Sequence, residues 1–275
     1  MSTILVVDDD RTTRHWIKGV LNNAGYSTSV AKDGVEALKK LGAERYDVLL
    51  LDVWMPRMNG LDLLARLRAR ETRPRVIVMT SDDTPETLLK AVREQAYEYL
   101  TKPVQPVALL ATVRAVLEVR DVPPIEVISA RPEWVELVAP CAREAAERIQ
   151  SVIANLDARL APRVRDSIAD AFRELLLNAI EWGGRFEPHR KVRIACLRTK
   201  RMLMYRIADP GEGFNIDDLP HAAIHHPGTP IAHVDVREEK GLRPGGFGLL
   251  TVRGSVDELI YNEKRNEVVF VKYLD

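Results

Sequence analysis

The stretch Val48-Leu49-Leu50-Leu51-Asp52-Val53-Trp54-Met55-Pro56 sets an unbroken apolar run against a carboxylate and then breaks the chain at a proline. Ile4-Leu5-Val6-Val7 is a similar run and ends in Asp8-Asp9-Asp10, and Val76 to Met79 ends in Thr80. Apolar runs without alternation are what strands covered on both faces of a parallel sheet require. Two weaker strands, Gly25 to Val30 and Tyr97 to Leu100, complete the set, and helical stripes separate them. The last stripe, Leu109, Leu110, Val113, Val116 and Leu117, repeats at three and four. Five β/α units predict an α/β doubly wound (βα)5 domain over residues 1–120.

In such a sheet the carboxyl ends of the strands form the ligand crevice. Asp8, Asp9 and Asp52 meet there, and three carboxylates that close repel unless a cation neutralises them; oxygen-only donors suit Mg²⁺. Thr80 adds a hydroxyl and Lys102 an ammonium, so metal, hydroxyl and cation converge on a phosphoryl group with Asp52 as its nucleophile. Asp10 reads instead as the cap of the following helix.

Taken together, Val6-Val7-Asp8-Asp9, Leu51 to Pro56 with Gly60, Val78-Met79-Thr80-Ser81 and Tyr99-Leu100-Thr101-Lys102-Pro103 resemble the response-regulator receiver domain. The resemblance implies that Asp52 accepts phosphate from an upstream histidine kinase or phosphotransfer protein. It also implies that Asp8, Asp9, Asp52 and the backbone carbonyl of Trp54 hold Mg²⁺, that Thr80 and Tyr99 carry a conformational switch, and that Lys102 contacts the phosphate. Gln95 departs from the family, which usually has Gly before Ala96.

Asp121-Val122-Pro123-Pro124 cannot continue the last helix, so residues 121–124 read as a linker and 125–275 as a second domain. That half opens with strands at Ile125–Ser129 and Trp134–Val138, then helices at about Ala142–Leu160 and Val164–Trp182. Strands at Lys191–Arg198 and Met202–Ala208, a loop from Pro210 to Pro244, a helix near Phe247–Gly254 and strands at Glu258–Tyr261 and Val268–Tyr273 follow. This segregated order predicts an α+β domain.

Val164, Ile168, Phe172, Leu175, Ala179 and Trp182 form one helical stripe that Leu176, Leu177 and Ile180 widen, so the helix is expected to be largely buried with Trp182 in the core. Glu174 and Asn178 lie a turn apart on it, and Glu181 extends that polar strip. A carboxylate and an amide there need partners, which Mg²⁺ and nucleotide phosphates would provide. Asp209-Pro210-Gly211-Glu212-Gly213-Phe214 ends a strand with an acceptor suited to an exocyclic amine and with two permissive glycines, Gly211 and Gly213. Gly245-Gly246-Phe247-Gly248 precedes a helix, where free backbone N–H groups face an anion.

In this order the three elements resemble the Bergerat ATP-binding fold of histidine kinases, gyrase-type ATPases and anti-sigma-factor serine kinases. The resemblance assigns Asn178 to Mg²⁺, Asp209 to adenine, Gly246 and Gly248 to phosphates beside Gly245, and Glu174 to general base. The helix from Ala142 to Leu160 holds no His, so histidine autophosphorylation in cis is not expected, and the short opening strands look most like the anti-sigma serine/threonine kinase branch. Trp182 stands where that branch commonly has His before a small residue, a departure that bears on catalytic efficiency. His221, His225, His226 and His233 read as polar loop residues; Arg237, Lys240 and Arg243 are candidates to touch a γ-phosphate.

Forty basic residues balance forty acidic ones, which leaves no field to hold a nucleic-acid backbone or an anionic membrane. Cys141 and Cys196 have neither disulfide-framework nor metal-ligand spacing, the first residues show no export signal, and no apolar run approaches a membrane span, so a cytoplasmic setting is expected. The resemblances imply ATP and Mg²⁺ as cofactors, an anti-anti-sigma-type protein or sigma factor as partner, and a possible homodimer. The expected function is a response regulator whose Asp52 phosphorylation controls a serine/threonine kinase; the alternative is an ATP-dependent binding module that sequesters its partner without phosphotransfer.

Overall fold

A computed structural model describes residues 2–68, 70, 73–81, 84–118, 123–214 and 248–274. The chain divides into two compact units, residues 1–121 and 122–275.

In the first unit, β1 (Thr3–Val7), β2 (Ser27–Ala31), β3 (Val48–Asp52), β4 (Arg75–Thr80) and β5 (Glu98–Thr101) form a parallel sheet in the order β2-β1-β3-β4-β5. The order reverses between β1 and β3, which opens the crevice at the ends that carry Asp8 and Asp52. Successive strand residues point to opposite faces, and both faces are covered. Leu5, Val7, Leu49, Leu51, Val76 and Val78 pack under α2 (Gly34–Ala43), α3 (Gly60–Arg68) and α4 (Pro85–Arg93) through Ala37, Leu63, Leu64, Leu67 and Ala91. Ile4, Val6, Val48, Leu50, Ile77 and Met79 pack under α1 (Arg11–Asn23) and α5 (Pro106–Glu118) through Ile17, Leu21, Leu109, Val113 and Val116. Hence the runs lack polar alternation. Asp10 caps α1, accepting from the Thr13 amide at 2.6 Å. Gln95 has φ +63°, the left-handed conformation that glycine adopts most freely, and its Oε1 accepts from Arg73.

In the second unit six strands form an antiparallel sheet in the order β10-β11-β9-β8-β7-β6: β6 (Glu126–Ala130), β7 (Trp134–Pro140), β8 (Lys191–Arg198), β9 (Met202–Ala208), β10 (Glu258–Tyr261) and β11 (Glu267–Tyr273). Every second residue of β9 is buried, as expected for a sheet with one packed face. Among the described residues, helices α6 (Arg143–Leu156), α7 (Pro162–Asn178) and α8 (Gly248–Ser255) accompany the sheet. Phe172 of α7 meets the Tyr205 ring edge-on at 5.5 Å, and Tyr205 stacks on Phe270 at 4.9 Å. The Tyr205 hydroxyl donates to Asp157 Oδ2 at 2.6 Å, and Arg198 pairs with the other oxygen of this carboxylate, so a buried charge at the end of α6 is satisfied.

Two expectations fail. The helix from Val164 is not largely buried, since Asp166, Ala169, Asp170 and Arg173 are exposed along one face. Nor is Trp182 in the core: it is 48% exposed, because α-helical geometry ends at Asn178 and a π-helical turn, Ala179–Gly183, follows. Gly184 N donates to Ala179 O at 2.8 Å, five residues back, and the wider turn rotates Trp182 off the stripe. The sequence also carries the helix before it on to Leu160, whereas α6 stops at Leu156, where Asp157 is turned in toward Tyr205.

Candidate functional site

The strand ends of the first unit bring every sequence-identified polar group but Tyr99 to the crevice edge. Val7 pairs with Leu51, Asp52 with Met79 and Thr80 with Thr101, so Asp8, Asp52, Thr80 and Lys102 emerge along one edge. Lys102 Nζ lies 2.7 Å from Asp8 Oδ2 and 3.0 Å from Asp52 Oδ2. The Lys102 amide donates to Thr80 O at 2.9 Å. Asp8 is buried; its Oδ1 accepts from the Asp10 amide at 2.9 Å, and its carbonyl accepts from Arg14 at 2.6 Å.

Carboxylate oxygens of Asp8, Asp9 and Asp52 lie within 4.8 Å of one another. Three oxygen donors so close, with one ammonium against them, leave net negative charge and suit a hard divalent cation such as Mg²⁺. Burial pushes the Asp52 carboxyl up, and the neighbouring Lys102 only partly opposes this. Burial also pulls on the Lys102 ammonium, but Asp8 and Asp52 outweigh it and hold its pKa above the ordinary value. Trp54 follows in the β3–α3 loop with its side chain exposed. Tyr99 stands apart: its half-buried ring packs on the α2–α4 side of the sheet and its hydroxyl donates to Leu88 O at 3.3 Å.

In the second unit the candidate residues come from one helix, one strand end and one helix start. Glu174, Asn178 and Glu181 are half-buried along α7 and its π-helical turn. The Glu174 carboxylate lies against Gly248, the first residue of α8, so closely that a Cβ on that glycine would strike it. Asp209 follows β9, where its Oδ1 accepts from the Gly211 amide at 2.7 Å. Burial pushes its carboxyl up, opposed by that N–H and by Arg190. Asn266 fixes the turn from both sides: its carbonyl takes the Asp209 amide at 2.9 Å and its side chain donates to Gly211 O at 3.0 Å. Arg190 donates to Pro210 O at 2.8 Å. Gly213 has φ +88° and lies flush against the Lys264 carbonyl. Gly245 and Gly246 lie outside the described residues, as do the four loop histidines and Arg237, Lys240 and Arg243.

Sequence reasoning missed Gly183. The π-helical turn presses its Cα against the Asp209 carboxylate, and any Cβ there would overlap Oδ1. Gly184 in the same way abuts Cys141, whose buried thiol is pushed up to about 11 by desolvation. Two adjacent glycines directly after an apolar helical stripe were the available signal, since Gly marks close backbone approach. A cavity of about 390 Å³ opens between α6 and α7, lined by residues including Ile153, Asp157 and Phe172. None of the candidate residues lines it. Among the described residues no helix is long and apolar enough to cross a membrane.

Two family models match the chain. A family model described as response regulator receiver domain matches residues 4–114, and one described as histidine kinase-like ATPase domain matches residues 135–272, half of the chain. The response regulator MprA of Mycobacterium avium is 41% identical over 114 residues, 42% of this chain and 50% of the relative; MprA of Mycobacterium tuberculosis gives the same figures. The chain thus spans about half the length of the curated relatives it matches. Among solved structures, the chemotaxis response regulator CheY4 of Vibrio cholerae is similar at 34% identity with a TM-score of 0.41, covering 42% of this chain and 99% of that one.

Proposed function

The chain belongs to the histidine kinase-like ATPase family and carries a response regulator receiver domain, and from that premise we propose that phosphorylation of Asp52 controls an ATP-dependent serine/threonine protein kinase. The observation that carries this reading is the contact of Lys102 with both Asp8 and Asp52 on one crevice edge, in a chain whose second half presents Glu174 and Asp209. An upstream histidine kinase or phosphotransfer protein supplies the phosphoryl group. Asp8, Asp9, Asp52 and the Trp54 carbonyl would hold Mg²⁺, and the ion would supply charge neutralisation for phosphoryl transfer. Lys102 contacts the phosphate, while Thr80 and Tyr99 relay the change.

In the second domain Asp209 would accept from the adenine amine, Asn178 would hold the nucleotide's metal, and the glycines from Gly245 to Gly248 would take the phosphates. Glu174 takes the proton from the incoming hydroxyl, a role its place beside Gly248 supports. The partner class is an anti-anti-sigma-type protein with a target Ser or Thr. A second reading, nucleotide-dependent sequestration of a partner without transfer, draws support from the exposed Trp182 where the kinases commonly have an imidazole. Incubation with γ-labelled ATP and an anti-anti-sigma-type protein decides between them. The kinase reading expects label on the partner and far less with Glu174→Gln, which should still bind ATP; a stable unlabelled complex favours sequestration.

A further inference from the structure

We propose that Arg57 is a positioning residue for the chemistry at Asp52: paired with the buried Asp33 carboxylate, it clamps the β3–α3 loop to the start of α2. Asp33 is 1% exposed and uses both oxygens. Oδ1 caps α2 by accepting from Val35 N at 3.0 Å and Glu36 N at 2.9 Å, and Oδ2 pairs with the Arg57 guanidinium. Arg57 holds φ +66°, a left-handed conformation that a residue with a Cβ adopts only against strain. An arginine kept there, more than half exposed yet reaching back to a buried carboxylate, is what a clamp requires.

The backbone reinforces the pair. Gly34 N donates to Met58 O at 3.4 Å, and a Cβ on Gly34 would come within 2.7 Å of Met58 Cγ. Met58 and Met55 are buried in the same core cluster as Ala37 of α2. Farther along, Gly60 N donates to Val53 O at 2.8 Å and closes the loop on itself. Trp54, whose carbonyl faces the metal in the proposed reading on which this inference rests, therefore lies in a loop held at Arg57, Met58 and Gly60. Loss of a group that orients a ligand without touching the ion typically weakens metal binding about 10–100-fold.

The test uses the full chain with Arg57→Ala, Arg57→Lys, Asp33→Asn and the Arg57→Ala/Asp33→Asn pair. Asp33→Asn keeps an oxygen for the α2 cap while removing the charge. Mg²⁺ affinity is followed by amide NMR, and hydrogen exchange at Trp54, Met55 and Met58 is measured without metal. The clamp expects Mg²⁺ binding weakened about tenfold by Arg57→Ala or Asp33→Asn, faster exchange at those amides, recovery with Arg57→Lys, and no further loss in the double variant. Wild-type affinity and exchange in Arg57→Ala, or additive losses in the double variant, would overturn it. If the wild-type protein fails to bind Mg²⁺, the metal reading falls, while the exchange data and their additivity still decide the clamp.

Discussion

The two domains build their candidate sites by different routes. In the first, neighbouring parallel strands end at one edge, so Asp8, Asp52, Thr80 and Lys102 arrive together as a consequence of strand order. In the second, Glu174 and Gly248, from a helix and a helix start, and Gly183 and Asp209, from a π-helical turn and a strand end, meet pairwise through close packing. The second arrangement leaves no room for a Cβ at Gly183 or Gly248.

The largest expected effect lies in the first domain. Asp52→Asn should take no acyl phosphate from a small-molecule phosphodonor with Mg²⁺, because the proposed nucleophile is the Asp52 carboxylate at the end of β3, beside the Lys102 ammonium. Intact-protein mass spectrometry checks this, and a phosphorylated Asp52→Asn protein would remove the strand-edge site from the comparison. Next comes Gly183→Ala. Its methyl group would displace the Asp209 carboxylate, so ATP affinity measured by calorimetry should fall at least about tenfold, ~1.4 kcal/mol, while phosphorylation at Asp52 is unchanged. Equal affinity would mean that the contact between Gly183 and Asp209 does not shape the nucleotide site.

The parts read correctly from sequence are those that local pattern controls. The five parallel strands follow from uninterrupted apolar runs, and β8 and β9 match their expected bounds. The placement of Asp8, Asp52, Thr80 and Lys102 at strand ends was legible because they are sequence neighbours of those runs. Gly183 and Trp182 were not, since a single π-helical turn changes which side chain faces inward without altering the hydrophobic period before it. Asp157 escaped notice because its partners, Tyr205 and Arg198, are more than 40 residues away in sequence. Asp33 and Arg57 met the same limit, a charge pair spanning two loops.

Stability separates the domains further. Phe172→Ala, which empties a ring site against Tyr205, should cost about 3–5 kcal/mol in the second domain alone. Domain-resolved calorimetry should show one transition moved and the other in place; movement of both would mean that the units unfold together. The smallest effect concerns Asp209. Its raised carboxyl pKa means the folded state holds the proton more tightly than the unfolded chain. Its contribution to stability is therefore fullest in acid and declines as pH rises from the unfolded pKa of 3.8 through the higher folded one. Asp209→Asn should flatten that decline and leave the second domain at least as resistant to urea at pH 7 as wild type, although it loses ATP affinity. A less stable variant would show that the carboxylate is structural and not held for a ligand.

The central claim is that phosphate at Asp52 governs the second domain. The direct test is transfer from γ-labelled ATP to an anti-anti-sigma-type partner by the full chain, with and without Mg²⁺ and beryllofluoride, beside Asp52→Asn. Control by phosphorylation requires the wild-type rate or partner affinity to change with beryllofluoride and the variant to be indifferent to it. Identical transfer and partner affinity in wild type under both conditions would contradict the claim.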